Sequence, residues 1–416
     1  MTGSARIVRG DALALPLDDS TVDLIVTSPP YFGLRSYQDG GEHYAGQIGD
    51  EPTPAEFVDA LIAATAEMVR VLKPSGSIWV NLGDKYAGSN GQPGGSGSST
   101  LVGTTSHTRG MAASKKPATG APTKSLIGIP WRYAIRCIDD LGLILRAEVI
   151  WSKPNGLPES VTDRVRRSHE TWFHFTREPR YFSAVDEIRE RYDAPNARRT
   201  LGNVDPGRGD HGNPTKRMDA AQTMNPLGKL PGSVWTIPTE PLHVPESLGI
   251  DHFAAFPTEW PRRIIQGWSP SGICTECGEG RRPVSEVAEM RPRESLQMQQ
   301  RHRTASSGGV GKVGLGIPAA ERERTITGEA CACPEPTAPT RPAVVLDPFG
   351  GTGTSALVAS VLGRHGISVD MSADYCRLAE WRTTDPDQIA RAMRVDKPAR
   401  QVDGQADLFD HLEETL

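Results

Sequence analysis

The apolar run Val22-Asp23-Leu24-Ile25-Val26 leads straight into Thr27-Ser28-Pro29-Pro30-Tyr31, and this junction constrains the fold more than any other stretch of the chain. The run has the length and β-branched content of a buried strand. Thr27–Tyr31 therefore sits at a strand's carboxyl end, where open α/β sheets bind ligands. Pro29 and Pro30 fix the backbone and donate no N–H, so the neighbouring carbonyls lack a local partner. A serine hydroxyl, a carbonyl and an aromatic face then meet at one sheet edge. Such a set can receive a flat heterocycle with an exocyclic amine, its N–H groups accepted by oxygen while the ring stacks on Tyr31. Taken alone, Pro-Pro marks an ordinary strand-ending turn equally well.

A second signal lies near the other terminus. Val344-Val345-Leu346-Asp347-Pro348-Phe349-Gly350-Gly351-Thr352-Gly353-Thr354 reads as strand and glycine loop, continued by a helix through Ser355-Ala356-Leu357-Val358-Ala359. Glycines let backbone approach a cofactor, and the amino end of a helix favours negative charge. A phosphate-binding loop needs Lys after its last glycine, and Thr354 stands there instead. The next strand, Gly366-Ile367-Ser368-Val369-Asp370, ends on a carboxylate 20 positions beyond Gly350. At that spacing an acidic residue reaches ribose hydroxyls. A nucleoside without phosphate fits these features better than a dinucleotide.

Together the two motifs resemble the amino-group DNA methyltransferases that use S-adenosylmethionine. Val71-Leu72-Lys73-Pro74-Ser75-Gly76, Trp151-Ser152-Lys153-Pro154-Asn155 and His252-Phe253-Ala254-Ala255-Phe256-Pro257 extend the resemblance over most of the chain. It implies an α/β, Rossmann-like methyltransferase fold with a mostly parallel sheet flanked by helices. The catalytic motif precedes the cofactor loop, which is the permuted β-type order. The resemblance gives Ser28, Pro29, Pro30 and Tyr31 the catalytic role. It gives cofactor binding to Asp347, Pro348, Phe349, Gly350, Gly351, Gly353, Thr354 and Asp370. It adds Asp11 at the adenine, where a turn aspartate is the plainer reading, and Phe256, Pro257 and Thr258 at the methionine end. The implied reaction moves a methyl group to the N4 amine of a flipped cytosine in double-stranded DNA. Ser28 favours cytosine, since Asp at that position is more frequent for adenine N6, which remains the alternative. A fold-retaining, non-catalytic DNA-binding protein is the alternative of another class. The implied setting is the cytoplasm, with a cognate restriction endonuclease as partner. Methylation at cytosine C5 needs a cysteine nucleophile, and the chain has no Pro-Cys dipeptide.

A net charge of -5 over 416 residues excludes a uniformly basic nucleic-acid binder and confines DNA contact to local patches. No stretch approaches the roughly 20 apolar residues of a membrane span, and the amino terminus lacks an apolar signal core. The domain reading is a catalytic half at 1–86, a Gly/Ser-rich insertion at 87–124, core again at 125–176, and a candidate target-recognition region at 177–231. Core resumes at 232–270, followed by a Cys-rich insertion at 271–340, the cofactor half at 341–384 and an acidic tail at 385–416. Arg109, Lys115, Lys116, Arg198, Arg199, Arg208, Lys216 and Arg217 are candidate phosphate or base contacts in the two polar segments.

Periodicity predicts strands from Arg6 to an end at Gly10-Asp11, and at Ser77–Leu82, Arg146–Trp151 and Glu170–Phe175, and helices at Pro54–Leu72 and from Ile129. Cys137 should be a buried small hydrophobe on the second helix. His169 and His174 should face solvent from an alternating strand and carry no metal or catalytic role. Cys274-Thr275-Glu276-Cys277 places two thiolates on a turn, and Cys331-Ala332-Cys333 supplies two more. Four soft ligands suit structural zinc, which would stabilise a module with few apolar residues.

Overall fold

A computed structural model describes residues 3–33, 38–39, 42–43, 46–88, 120–156, 158–159, 161–191, 225, 227–250, 255–287, 324–333 and 338–396. Arg109, Lys115, Lys116, Arg198, Arg199, Arg208, Lys216, Arg217, His252 and the segments 291–303 and 397–416 lie outside the described residues.

The amino-terminal part runs β1 (Ser4–Arg9), β2 (Val22–Thr27), the short β3 (Gln38–Asp39) and β4 (Glu42–His43), α1 (Pro54–Val71) and β5 (Leu72–Leu82). Then come α2 (Ile129–Asp139), β6 (Ile144–Ser152), β7 (His169–Thr176), β8 (Val234–Thr236) and α3 (Glu259–Trp268). β9 (Ile273–Cys274), β10 (Arg282–Val287), β11 (Arg324–Ala330) and β12 (Thr340–Arg341) form two small ladders. The chain closes with β13 (Val344–Asp347), α4 (Thr354–Val361), β14 (His365–Asp370), α5 (Ala373–Thr384) and α6 (Pro386–Met393).

Eight strands make one sheet in the order β1-β14-β13-β2-β5-β7-β6-β8. The first five are mutually parallel, β7 runs antiparallel to both β5 and β6, and β8 is parallel to β6. This is the mostly parallel, helix-flanked architecture the sequence implied. Every residue of β2 is buried, as expected of a strand covered on both faces. On one face α1 and α2 bury Phe57, Leu61, Met68 and Tyr133 over Ile78, Val80 and Phe175. On the other, Trp260, Ile264 and Ile265 of α3 and Val358 of α4 cover Leu24, Val26, Trp79 and Trp172. α1 starts where Pro54 supplies a helical φ and the Thr53 hydroxyl accepts the Glu56 N–H at 3.2 Å. Among the described residues no helix is long and apolar enough to cross a membrane.

The structure departs from the sequence reading in three places. Residues 177–191, the start of the polar region, pack on the core, with the Phe182 and Ala184 N–H groups donating to the carbonyls of Ser75 and Gly267. The stretch after Asp385 opens with α6, which lies against α4 and α5. His174, expected on a solvated face, is 2% exposed because β7 is an interior strand with both faces covered. Cys137 is buried as expected.

His174 stacks on Trp79 at 4.5 Å between ring centroids and meets the Ser77 hydroxyl at 3.1 Å. Burial pushes its pKa from 6.5 down to about 3. A depressed pKa means that the unfolded chain binds a proton the native ring refuses. The stability this represents is present above pH 6.5 and is lost as pH falls toward about 3. His174→Phe keeps a flat apolar ring and removes that proton. It is expected to flatten the acid limb of stability in this window, an effect on the order of 5 kcal/mol at full extent. Denaturant titrations at several pH values check this, and parallel curves for the two proteins would contradict it.

Candidate active site

The motifs at the two ends of the chain meet on adjacent strands. β2 and β13 are parallel neighbours, with Leu24 opposite Val345 and Ile25 opposite Leu346. At their amino ends the Asp23 carboxylate accepts the Val344 N–H at 2.8 Å and pairs with Lys73. At their carboxyl ends the Thr27 hydroxyl donates to Asp347 Oδ1 at 2.7 Å, and Ser355 Oγ donates to Asp347 Oδ2 at 2.8 Å. Asp347 is 1% exposed, and burial raises its pKa to about 6. It is a strut between the motifs, with both oxygens turned inward.

A cleft opens where these strands end. Ser28 and Pro30 line it from one side, and Pro348, Phe349 and Gly351 from the other. Asp11, after β1, and Asp370, at the end of β14, complete it with Tyr375 of α5. Gln47 and Ile48 close it from a loop whose Gly49 carbonyl accepts the Gly33 N–H at 2.7 Å. Asp370 Oδ2 accepts the Gly351 N–H at 2.8 Å and Oδ1 accepts the Ser372 N–H at 2.9 Å, so this carboxylate holds the glycine loop as well as facing the cleft. Gly351 has φ +48°, the left-handed region that a glycine occupies at no steric cost. A Cβ on Gly350 would fall 1.8 Å from Ser368 Oγ, so the loop must close tightly over β14. The described lining contains two carboxylates and neither Lys nor Arg. That donor set repels phosphate and suits a cationic nucleoside bearing free ribose hydroxyls.

Tyr31 does not line the cleft. Its phenol lies 2.6 Å from Asn81 Oδ1 and 2.8 Å from Glu170 Oε2, and its single proton serves one of them at a time. Lys153 Nζ donates to the other oxygen of Glu170. Ser28 Oγ donates to the same Asn81 Oδ1 at 3.3 Å, leaving its lone pairs as acceptors. The Asn81 amide therefore orients both ends of the Ser-Pro-Pro-Tyr segment and is itself held by donation to the Thr171 carbonyl at 3.2 Å. The Tyr31 ring rests on Gly83, where a Cβ would stand 2.6 Å from Cε2.

A family model described as DNA methylase, of the N6/N4 methyltransferase type, matches residues 22–273 and 338–381. The chain belongs to this family. Among its relatives, the Type II methyltransferase M.SmaI of Serratia marcescens is 34% identical over 274 residues, covering 65% of this chain and 77% of that protein. M.Cfr9I of Citrobacter freundii, also a Type II methyltransferase, is 39% identical over 205 residues, 48% of this chain and 64% of its own length. The solved structure of the PvuII DNA methyltransferase, described as cytosine-N4-specific, superposes with a TM-score of 0.50 at 17% identity over 95% of each chain. At that identity the likeness concerns the fold.

Of the cofactor residues implied by sequence, this DNA methylase places Asp11, Pro348, Phe349, Gly351 and Asp370 on the cleft. Asp347, Gly350, Gly353 and Thr354 build the loop behind it. Gly353, at φ +72°, caps α4 against Ala379, and the Thr354 hydroxyl accepts from Arg382 at 2.6 Å. Phe256, Pro257 and Thr258 are not brought to the cleft. Phe256 meets Trp172 edge-on, Pro257 lines a separate groove, and Thr258 Oγ1 donates to Glu240 at 2.8 Å. Asn81, Glu170, Lys153 and Arg382 escaped the sequence reading as site residues. Arg382 is 4% exposed, holds the Thr352 hydroxyl at 2.7 Å, and is lowered by burial to a pKa of about 10.

The family match leaves out residues 274–337, which hold most of the cysteine-rich part of this methylase. The sulfurs of Cys274, Cys277 and Cys331 lie within 4.8 Å of one another, and Cys333 is not gathered with them. The Cys277 N–H points at the Cys274 sulfur and pulls that thiol's pKa down to about 7.

Proposed function

We propose that this chain transfers a methyl group from S-adenosylmethionine to the exocyclic N4 amine of a cytosine flipped out of duplex DNA. The observation that carries the reading is the single cleft shared by Ser28 and Pro30 with Asp11, Gly351 and Asp370, fed by neighbouring strands. When bound, S-adenosylmethionine supplies an electrophilic sulfonium methyl. Asp370 and Asp11 fit its ribose and adenine, and their negative charge favours a cationic ligand. Ser28 Oγ and the Pro29 carbonyl accept the N–H groups of the target amine, which draws the nitrogen lone pair out of ring conjugation. Tyr31, fixed by Asn81 and Glu170, stacks on the base. These residues hold the amine in one orientation, and the chemistry needs no covalent bond to the protein.

Serine at position 28 supports cytosine as the target. The Type II names of the relatives support a restriction-modification setting, and we place the protein in the cytoplasm with a cognate endonuclease as partner. We assign target recognition to the polar segment within 177–231. Transfer of tritium from labelled S-adenosylmethionine to duplex DNA tests the reading; label appearing in RNA or protein and not in DNA would overturn it.

Zinc is the metal we place on Cys274, Cys277 and Cys331. Three thiolates this close supply three of the four soft ligands that tetrahedral zinc takes, and the β10–β11 ribbon beyond them has little apolar surface to bury. Cys277→Ser is expected to reduce zinc content to background and to open the ribbon to protease. Elemental analysis with limited proteolysis checks this; zinc-free protein with a resistant ribbon would count against the site.

A further inference from the structure

Between β6 and β7 the chain crosses the same sheet edge as Ser28–Tyr31, and its tip carries an apolar side chain pointing into solvent. Val165 is 86% exposed, more than any other exposed large apolar side chain among the described residues. Single exposed valines are common on surfaces, so exposure alone carries little. Val165 is distinguished by how firmly its neighbours hold it outward. The Arg164 guanidinium sits 3.8 Å from the centroid of the Tyr86 ring and pairs with Glu159 at 2.7 Å. Arg166 donates to the Gly156 carbonyl at 2.8 Å, and Arg167 donates to the Asp84 carbonyl. The Ser168 carbonyl accepts the Lys153 N–H at 2.8 Å.

Asp84 and Tyr86 belong to the segment after β5, and Gly83 of that segment supports the Tyr31 ring. Lys153 reaches Tyr31 from the other side through Glu170. The valine tip is thus fastened to the wall that carries the catalytic tyrosine. Three guanidinium groups flank it in sequence, set against the carboxylates of Glu159, paired with Arg164, and Asp163, paired with Lys124, so the tip carries a small excess of positive charge suited to a phosphodiester backbone.

We propose that Val165 is an apolar wedge that enters the base stack of duplex DNA beside the extruded nucleotide, held in place by Arg164, Arg166 and Arg167. The inference rests on the duplex-DNA reading of the cleft. Apolar side chains pressed between base steps open them, and extrusion of a paired base costs a few kcal/mol that a mismatched base does not demand in full. A wedge is therefore needed most on a fully paired target.

The test compares two short synthetic duplexes carrying the site found modified in host DNA, one fully paired and one mismatched at the target base. Val165→Ala is expected to lower kcat/KM on the paired duplex about tenfold and to leave the mismatched duplex within about twofold of the unaltered protein. Val165→Leu keeps the apolar bulk and should preserve the paired rate. Equal loss on both duplexes, or no loss on the paired one, would overturn the wedge; the latter result fits a side chain that meets a protein partner or nothing. Transfer by the unaltered protein to neither duplex would overturn the duplex-DNA reading and the wedge with it. Val165 is exposed, so thermal unfolding of both variants should match that of the unaltered protein.

Discussion

Tyr31→Ala is expected to lower kcat/KM for duplex DNA by roughly 10- to 100-fold, because stacking of a base on an aromatic ring contributes about 1–3 kcal/mol. Affinity for S-adenosylmethionine should change by less than about twofold. The separation comes from the geometry: Ser28 and Pro30 line the cleft, whereas the Tyr31 ring lies against Gly83, outside it. Tyr31→Phe keeps the stacking face and gives up the contacts with Asn81 and Glu170, so it should fall between the two. Initial-rate kinetics with calorimetric titration of the cofactor separate the effects, and equal loss of both would contradict this division of labour.

Asp370→Ala should show the opposite pattern. Its carboxylate accepts N–H groups from Gly351 and Ser372 while facing the cleft, so its loss loosens the glycine loop and, on the proposed reading, removes the acceptor for ribose hydroxyls. Hydrogen bonds to charged groups contribute about 1.5–3 kcal/mol each, which predicts a cofactor Kd raised about 10- to 100-fold. At saturating cofactor, kcat should recover most of its value. Equilibrium dialysis with labelled cofactor measures this, and an unchanged Kd would remove Asp370 from the nucleoside end of the site.

The local signals in the sequence were strong where one strand and its exit loop carry the whole message. Val22–Tyr31 and Val344–Thr354 each announce strand, turn and chemistry within about a dozen residues, because apolar runs, prolines and glycines act on their own backbone. The position of Asp370 was legible from spacing for the same reason. Asn81 and Glu170 were not, since each looks like one polar residue in a strand until β5 and β7 pair and bring both to Tyr31. His174 was misplaced because alternation describes a strand with one wet face, and β7 has none. Asp347 sits inside a recognisable motif, yet its inward turn depends on Thr27, 320 residues away in sequence. Arg382 carries no motif at all and acquires its function by reaching two threonines from a neighbouring helix.

On the proposed reading, two distant stretches of chain build one cleft in which an amine of a DNA base meets a sulfonium methyl. Mass analysis of nucleosides digested from DNA treated with the purified protein and S-adenosylmethionine tests it most directly. The expected product is N4-methylcytosine, absent when Ser28 and Tyr31 are both replaced by alanine. DNA that carries no methylated amine after such treatment, or carries 5-methylcytosine instead, would contradict it.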